Sequence, residues 1–323
     1  MKFTSIPQNG SSWYDKLCYA IDTELSEPSD VQVTIISVRD NKTIGRLNLY
    51  GVTSSEFDIA PYLRAVFNPK PQMASSGTIF VSRPAFNIKV VANDVESELR
   101  TFARTSFDPN TTQLFHMSSG QQQIALGEPI FISLYSPTSI TIRTHTITPT
   151  HTNIQARTIV TAGLPSDITL QHPSFLNNAT AIKYELIGDA QQQIASLCYT
   201  IVKHDPSARR LIWFNSIGGL ECYTFPKSRV SRIETEIYKT KCGDRAYNHL
   251  HKASTFRELY SAIEGDDEIR RLSEIVCSPY IYTSHNGSIE EVDMKTRSIH
   301  FNTTSQTRQL KFEIEERQRG GIL

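Results

Sequence analysis

The sequence predicts a mainly β chain, with tandem β-sandwich (Ig-like) domains followed by a smaller α+β domain. Three observations carry this reading. Alternating runs recur at Val31–Val38, Thr78–Ser82, Phe86–Val91, Ile130–Leu134 and Ser139–Ile147, and period-two alternation turns one strand face inward and the other to water. Turn-formers separate them: Asp40-Asn41, Pro69-Lys70-Pro71, Ser75-Ser76-Gly77 and Pro149. Helical spacing is scarce over the first two thirds, and many short strands without intervening helices argue for sandwiches.

A chain of 323 residues exceeds one ordinary core. The expected division is a sandwich over 1–117, a second over 118–205 and an α+β domain over 206–323. Three faint echoes in order support a duplication: Val33–Ile36 with Ile140–Arg143, Phe57–Ile59 with Ser166–Ile168, and Phe86–Lys89 with Thr180–Lys183. The repeated Gln-Gln-Gln-Ile-Ala of Gln121–Ala125 and Gln191–Ala195 falls outside that register.

Within the first domain, Asp58 is placed to cap a short helix through Phe67, with Pro61 in the first turn, where no N–H is needed. Leu63, Val66 and Phe67 are its expected apolar face. Between Arg209 and Phe225 two apolar runs flank Gly218-Gly219, the pattern of a β-hairpin whose turn needs positive φ. Ser231–Lys241 alternates as a strand with one wet face. Thr255-x-x-Glu258 is a capping box, predicting a helix with Phe256, Leu259, Tyr260 and Ile263 on one side and Gly265 as its stop. A second helix follows, with Asp266, Asp267 and Glu268 at its positive end and Ile269, Leu272, Ile275 and Val276 as a buried stripe ending before Pro279. Asn286-Gly287 predicts a tight hairpin between Tyr280–Thr283 and Ser288–Met294, and Leu310–Ile314 a last strand.

Composition excludes several functions. Basic and acidic residues balance at 33 each, so no global field attracts nucleic acid or anionic membrane, and short clusters such as Arg209-Arg210 read as solvated strand ends. No run approaches the roughly 18 apolar residues of a spanning helix. The opening MKFTSIPQNGSSWYDK lacks an apolar core, so no cleaved secretory signal is expected. Cys18, Cys198, Cys222, Cys242 and Cys277 are odd in number and scattered, which favours buried free thiols in a reducing cytosol over disulfides or metal.

No nucleophile elbow, zincin helix, Walker loop or dinucleotide fingerprint is present. His249-Leu-His251, with Cys242 and Asp244 upstream, can be written as a metal set, but exposed polar residues explain it more simply. His145, His151 and His172 read as surface residues, and His204-Asp205 as a turn before Pro206. The adjacent acids Glu290-Glu291 and Asp266-Asp267 are ordinarily solvated rather than a glycosidase pair. The five Asn-x-Ser/Thr triplets at Asn41, Asn110, Asn178, Asn286 and Asn302 carry no weight in a chain rich in Ser and Thr. No catalytic, cofactor-binding or metal-ligating residue is assigned, and the chain is read as non-enzymatic.

The wording of two segments is more specific than their pattern. Trp213-x-Asn215-x-x-Gly218-Gly219-x-x-x-Tyr223-x-Phe225, and the stretch from Leu272 to Met294 with its Ser278-Pro279 stop, resemble structural proteins of tails and baseplates in tailed phages and prophages of Bacteroidetes. The resemblance covers the last third well and the rest in layout only. It implies a virion protein assembled in the host cytoplasm, acting as a homo-oligomeric ring with other tail proteins as partners. The competing expectation is a multi-domain adhesin or glycan-binding module using Trp13, Tyr14 and Tyr19 as an aromatic platform, although a core role for these rings fits better. Gly320–Leu323 is a candidate arm docking on a neighbour.

Overall fold

The computed structural model describes residues 1–75, 78–117, 121–125, 127–161, 163–171, 178–188, 191–202, 205–242, 245–285, 288–299 and 307–317. The chain is mainly β and almost wholly antiparallel. In the N-terminal part a three-stranded sheet (Lys2–Ser5, Cys18–Asp22, Ser54–Asp58) faces a second sheet. In that second sheet Ser29–Ser37 lies between Lys42–Val52 and Ala85–Ala92, and Val95–Glu96 and Arg100–Ala103 pair onto the last of these. Alternation explains the layer: Val31, Val33 and Ile35 are buried while Asp30 and Gln32 are exposed. They meet Tyr19, Ile21 and Phe57 of the opposing sheet around Trp13 in one core.

The middle part repeats the plan. Gln113–Leu114, Pro129–Tyr135, Ser166–Gln171 and Ile79–Ser82 form one sheet. Gln121–Ala125, Gln193–Val202, Ala181–Ile187, Ile140–Ile147 and Thr152–Ile159 form the other, and both contribute to a shared core. The strand Ile79–Ser82, which precedes position 117, hydrogen-bonds here through Leu170↔Ile79 to Asp167↔Ser82. Two of the three sequence echoes fall on strands with similar neighbours, but not in the same register: Lys89 opposes Ile36, whereas Lys183 opposes His145. Val33–Ile36 and Ile140–Arg143 lie on strands that are each flanked by a following hairpin partner and a later strand. Those later strands, Ala85–Ala92 and Ala181–Ile187, carry the third echo.

In the C-terminal part Arg209–Phe214 and Leu220–Phe225 pair as the expected hairpin and continue to Ile281–His285 and Ser288–Glu291. The turn residues Asn286 and Gly287 lie outside the described residues. A second sheet runs Lys227–Cys242, Arg245–Tyr260, Lys311–Arg317, Asp293–Met294. Helix α1 spans Ala60–Val66 and α2 Asp266–Ser273, the latter followed by a 3-10 turn Glu274–Cys277 before Pro279.

Several expectations need correction. The capping-box helix at Thr255–Ile263 is not formed: these residues continue the strand to Tyr260, bonded on one side to Lys227–Glu234 and on the other to Lys311–Arg317. Two hydrogen-bond ladders outweigh a local cap. The Glu258 carboxylate, instead of reaching back to Thr255, is shared by Arg229, Tyr260 and Lys311 across the sheet, whose hydrogen bonds hold it down to about 2. In α1 the N-cap is Ile59, without a side-chain cap; Asp58 lies one residue earlier and accepts the Ala60 N–H at 2.9 Å, and Leu63 is buried, but Val66 is 43% exposed. Among the thiols Cys222 is buried, whereas Cys277 is exposed and Cys18 and Cys198 half-buried; all four are free.

The Gly218-Gly219 pair serves two different needs. Gly218 adopts φ +80°, the left-handed region. Gly219 is required by proximity, because a Cβ there would sit 1.7 Å from the Phe115 carbonyl oxygen. G219A is expected to destabilise the protein by about 3 kcal/mol in urea unfolding, since backbone rather than a side chain must yield. A loss under about 0.5 kcal/mol would mean that the hairpin tip does not pack this closely.

Candidate functional site

The Arg209–Phe225 hairpin is buried on both faces, which is why its strands read as continuous apolar runs rather than alternating ones. One face (Leu211, Trp213, Tyr223, Phe225) packs on α2 and Phe312. The other (Ile212, Phe214, Leu220, Cys222) packs on Phe131 of the middle part and Tyr282. Charges buried around it are paired. Arg104 forms a bidentate contact with Asp167 at 2.7 and 2.9 Å, donates to the Gly218 carbonyl and lies 4.3 Å over the Phe214 ring. Asp167 also accepts from the Ser133 hydroxyl, which in turn accepts the Leu220 N–H. Residues from the first, middle and last parts of the chain therefore meet within one hydrogen-bond network.

A second network lies on the same hairpin. Glu221, fully buried, accepts from Arg271 of α2 at 2.9 Å, from the Met117 N–H at 2.6 Å and from Asn215 at 3.1 Å. Asn215 also holds the Phe115 carbonyl and the Gly219 N–H. Arg271 is completed by Glu268. Burial works against its charge, but the two carboxylates more than offset this and raise its pKa. A third buried cation, Arg210, contacts Thr224 at 2.7 Å, and Thr224 donates to Glu128 of the middle part. His116 sits beside Glu221 at 3.2 Å but off hydrogen-bonding geometry, so both ring nitrogens lack a partner. Burial lowers its pKa first of all, opposed by Glu221.

The geometry of these groups is that of a structural joint: Arg104, Arg210 and Arg271 each meet a carboxylate of another segment, although Arg210 Nε has no hydrogen-bond partner. The distinctive outward feature is the hairpin Lys227–Cys242 with Arg245–Tyr260. Its third strand, Lys311–Arg317, is described as far as Arg317, opposite Ser254. Beyond that pair, among the described residues, Thr235–Cys242 and Arg245–Ala253 pair in the sheet only with each other. At ~3.3 Å per residue this two-stranded arm is roughly 25 Å long. An open edge is Thr152–Ile159, in which seven of eight residues are exposed. It runs without a bulge and has Arg157 as its one charge, lacking the usual protections of an edge strand.

The other residues singled out in sequence are dispersed. His249 and His251 lie on the outer half of the arm, where backbone alone is described, as for Cys242; Asp244, His172 and His204 lie outside the described residues. No group of three or more His, Cys, Asp or Glu is placed to hold a metal among the described residues. His145 stands 2.9 Å from Glu185, which Lys183 also contacts, and these partners hold Glu185 at about 2. His151 binds Thr148 on an exposed turn, and Asp205 caps Ser207. Glu290 and Glu291 are exposed neighbours on one strand, and Asp266 and Asp267 sit in the first turn of α2. Trp13 and Tyr19 are fully buried, so they form no platform with Tyr14, which is 45% exposed. The joint was missed because Glu221 and Arg271 are 50 residues apart and Arg104 and Asp167 are 63 apart. The one hint was an acid set inside an apolar run, Leu220-Glu221-Cys222-Tyr223.

No helix among the described residues is long and apolar enough to cross a membrane. No protein-family model matches the chain, and no curated protein matches it.

His116 makes the joint pH-sensitive. With its folded-state pKa below the usual 6.5, the unfolded chain binds a proton that the folded chain refuses, so stability is complete above about pH 6.5 and declines on acidification. Urea midpoints from pH 8 to 5 are expected to fall less steeply in H116Q than in the parent. Parallel curves would mean that His116 titrates alike in both states.

Proposed function

We propose that the protein is a non-catalytic structural component of a tailed-phage or prophage particle, of the tail or baseplate kind, joined to its neighbours through open β edges. The observation that carries this reading is the arm, a two-stranded ribbon to which no other strand pairs among the described residues. An isolated two-stranded ribbon is marginal in water, so a long one gains stability when a neighbour adds strands or packs its face. The paired charges of the joint support the same reading, since a rigid body suits repeated assembly. The two sandwiches are read as Ig-like units: Gln121–Ala125 runs parallel to the last strand, Gln193–Val202, within an otherwise antiparallel sheet. Partners are further copies in a closed ring and other tail proteins, and the particle is the site of action. The wording of the Trp213–Phe225 hairpin adds to this.

Replacing Thr235–Ala253 by a two-residue Asn-Gly turn joins the paired residues Glu234 and Ser254 and removes the arm beyond them. Light scattering and negative-stain images are expected to show rings or stacked discs for the full chain. The shortened variant is expected to be a monomer of unchanged thermal stability. A full chain that stays monomeric at high concentration, or rings that persist without the arm, would overturn the role given to it.

A further inference from the structure

A cleft of about 320 Å³ opens beside the buried joint. Three separate segments supply its wall: the turn at Arg39-Asp40, the stretch after α1 that includes Phe67 and Lys70, and the Arg83–Phe86 connection. The Arg104–Asp167 pair forms part of the lining, and its two charges offset each other. The remaining charged wall is one-sided. Arg39, Lys70 and Arg83 make no ion pair among the described residues, against a single carboxylate, Asp40, which already accepts from Ser37. Arg83 uses one guanidinium nitrogen on the Val160 carbonyl at 3.1 Å, while its Nε is buried and has no protein partner. A buried guanidinium N–H left unmatched is costly, and an anion is the group that matches it best. The Phe67 and Phe86 edges and Pro84 line the rest of the wall, and the volume sits at the lower end for small-molecule sites.

The geometry points to a binding site for a small, multiply charged oxyanion with an apolar or ring body, its charged end on Arg83, Lys70 and Arg39 and its body against Phe67 and Phe86. Phosphate monoesters and dicarboxylates share this chemistry, and the site is independent of the arm. Arg83 supplies the directional contact because it is the least exposed of the three and is fixed by Val160, whereas Lys70 and Arg39 supply field. Net charge over the whole chain is zero, so attraction to this cleft is local and falls with salt.

The full chain is titrated by calorimetry and by amide chemical-shift mapping with phenyl phosphate, inorganic phosphate and succinate. The expected result is saturable binding, with shifts at residues 67–72 and 82–86. Phenyl phosphate binding more tightly than inorganic phosphate identifies a phosphate monoester with a ring, and succinate the tightest identifies a dicarboxylate. R83Q is expected to weaken binding by about tenfold and K70Q by about threefold, whereas K16Q, outside the cleft, leaves it unchanged. Thermal unfolding of R83Q checks that the fold is kept, and K70Q, on an exposed side chain, reads the site independently of that check. No saturation with any probe, or equal weakening in K16Q, overturns the proposal.

Discussion

The rest of the structure depends on two buried ion pairs, Arg104–Asp167 and Glu221–Arg271, that close around one hairpin. Each brings together residues from distant parts of the chain, and each is completed by neutral donors: Ser133 for Asp167, Asn215 and the Met117 N–H for Glu221. Burying such charges gains little net stability over a well-packed apolar alternative, but stranding one partner costs about 3–5 kcal/mol. The consequence is registry. Any displacement of the hairpin against Phe115 or Ser133 leaves a charge unmatched, so the three parts of the chain are held in one arrangement.

That rigidity gives the open edges their meaning. The arm and the Thr152–Ile159 edge present backbone donors and acceptors at fixed positions on a body that does not flex to hide them. The two edges differ in chemistry. The first strand of the arm has Glu236, Lys239 and Lys241 in its sequence, and such charges discourage indiscriminate pairing. The sandwich edge has almost none, and its exposed Ile154 adds an apolar contact.

Much of the fold was legible in the sequence because strands facing one core and water announce themselves by alternation. Val31, Val33 and Ile35 did so, as did Ile140 and Ile142, whereas Ile130–Leu134 alternates in sequence but is buried on both faces. The Trp213–Phe225 hairpin was legible from its glycines, although Gly219 serves close packing rather than φ. The capping box at Thr255 misled because it is a four-residue signal, whereas Thr255 is fixed in a strand by Ile233, 22 residues before it, and Glu316, 61 after it. The joint was the least legible part. Arg104 and Asp167 look like ordinary surface charges in their own segments, and only the three-dimensional meeting of strands buries them.

Trp13 in the first part and Trp213 in the hairpin allow the joint to be tested directly. Single-tryptophan chains, W213F and W13F, report each region separately during urea unfolding. A chain locked by the joint gives one shared midpoint, and R104Q, which strands Asp167, separates the two. Distinct midpoints in the intact chain, or coincident ones after R104Q, would contradict the claim that these buried pairs hold the molecule as one body.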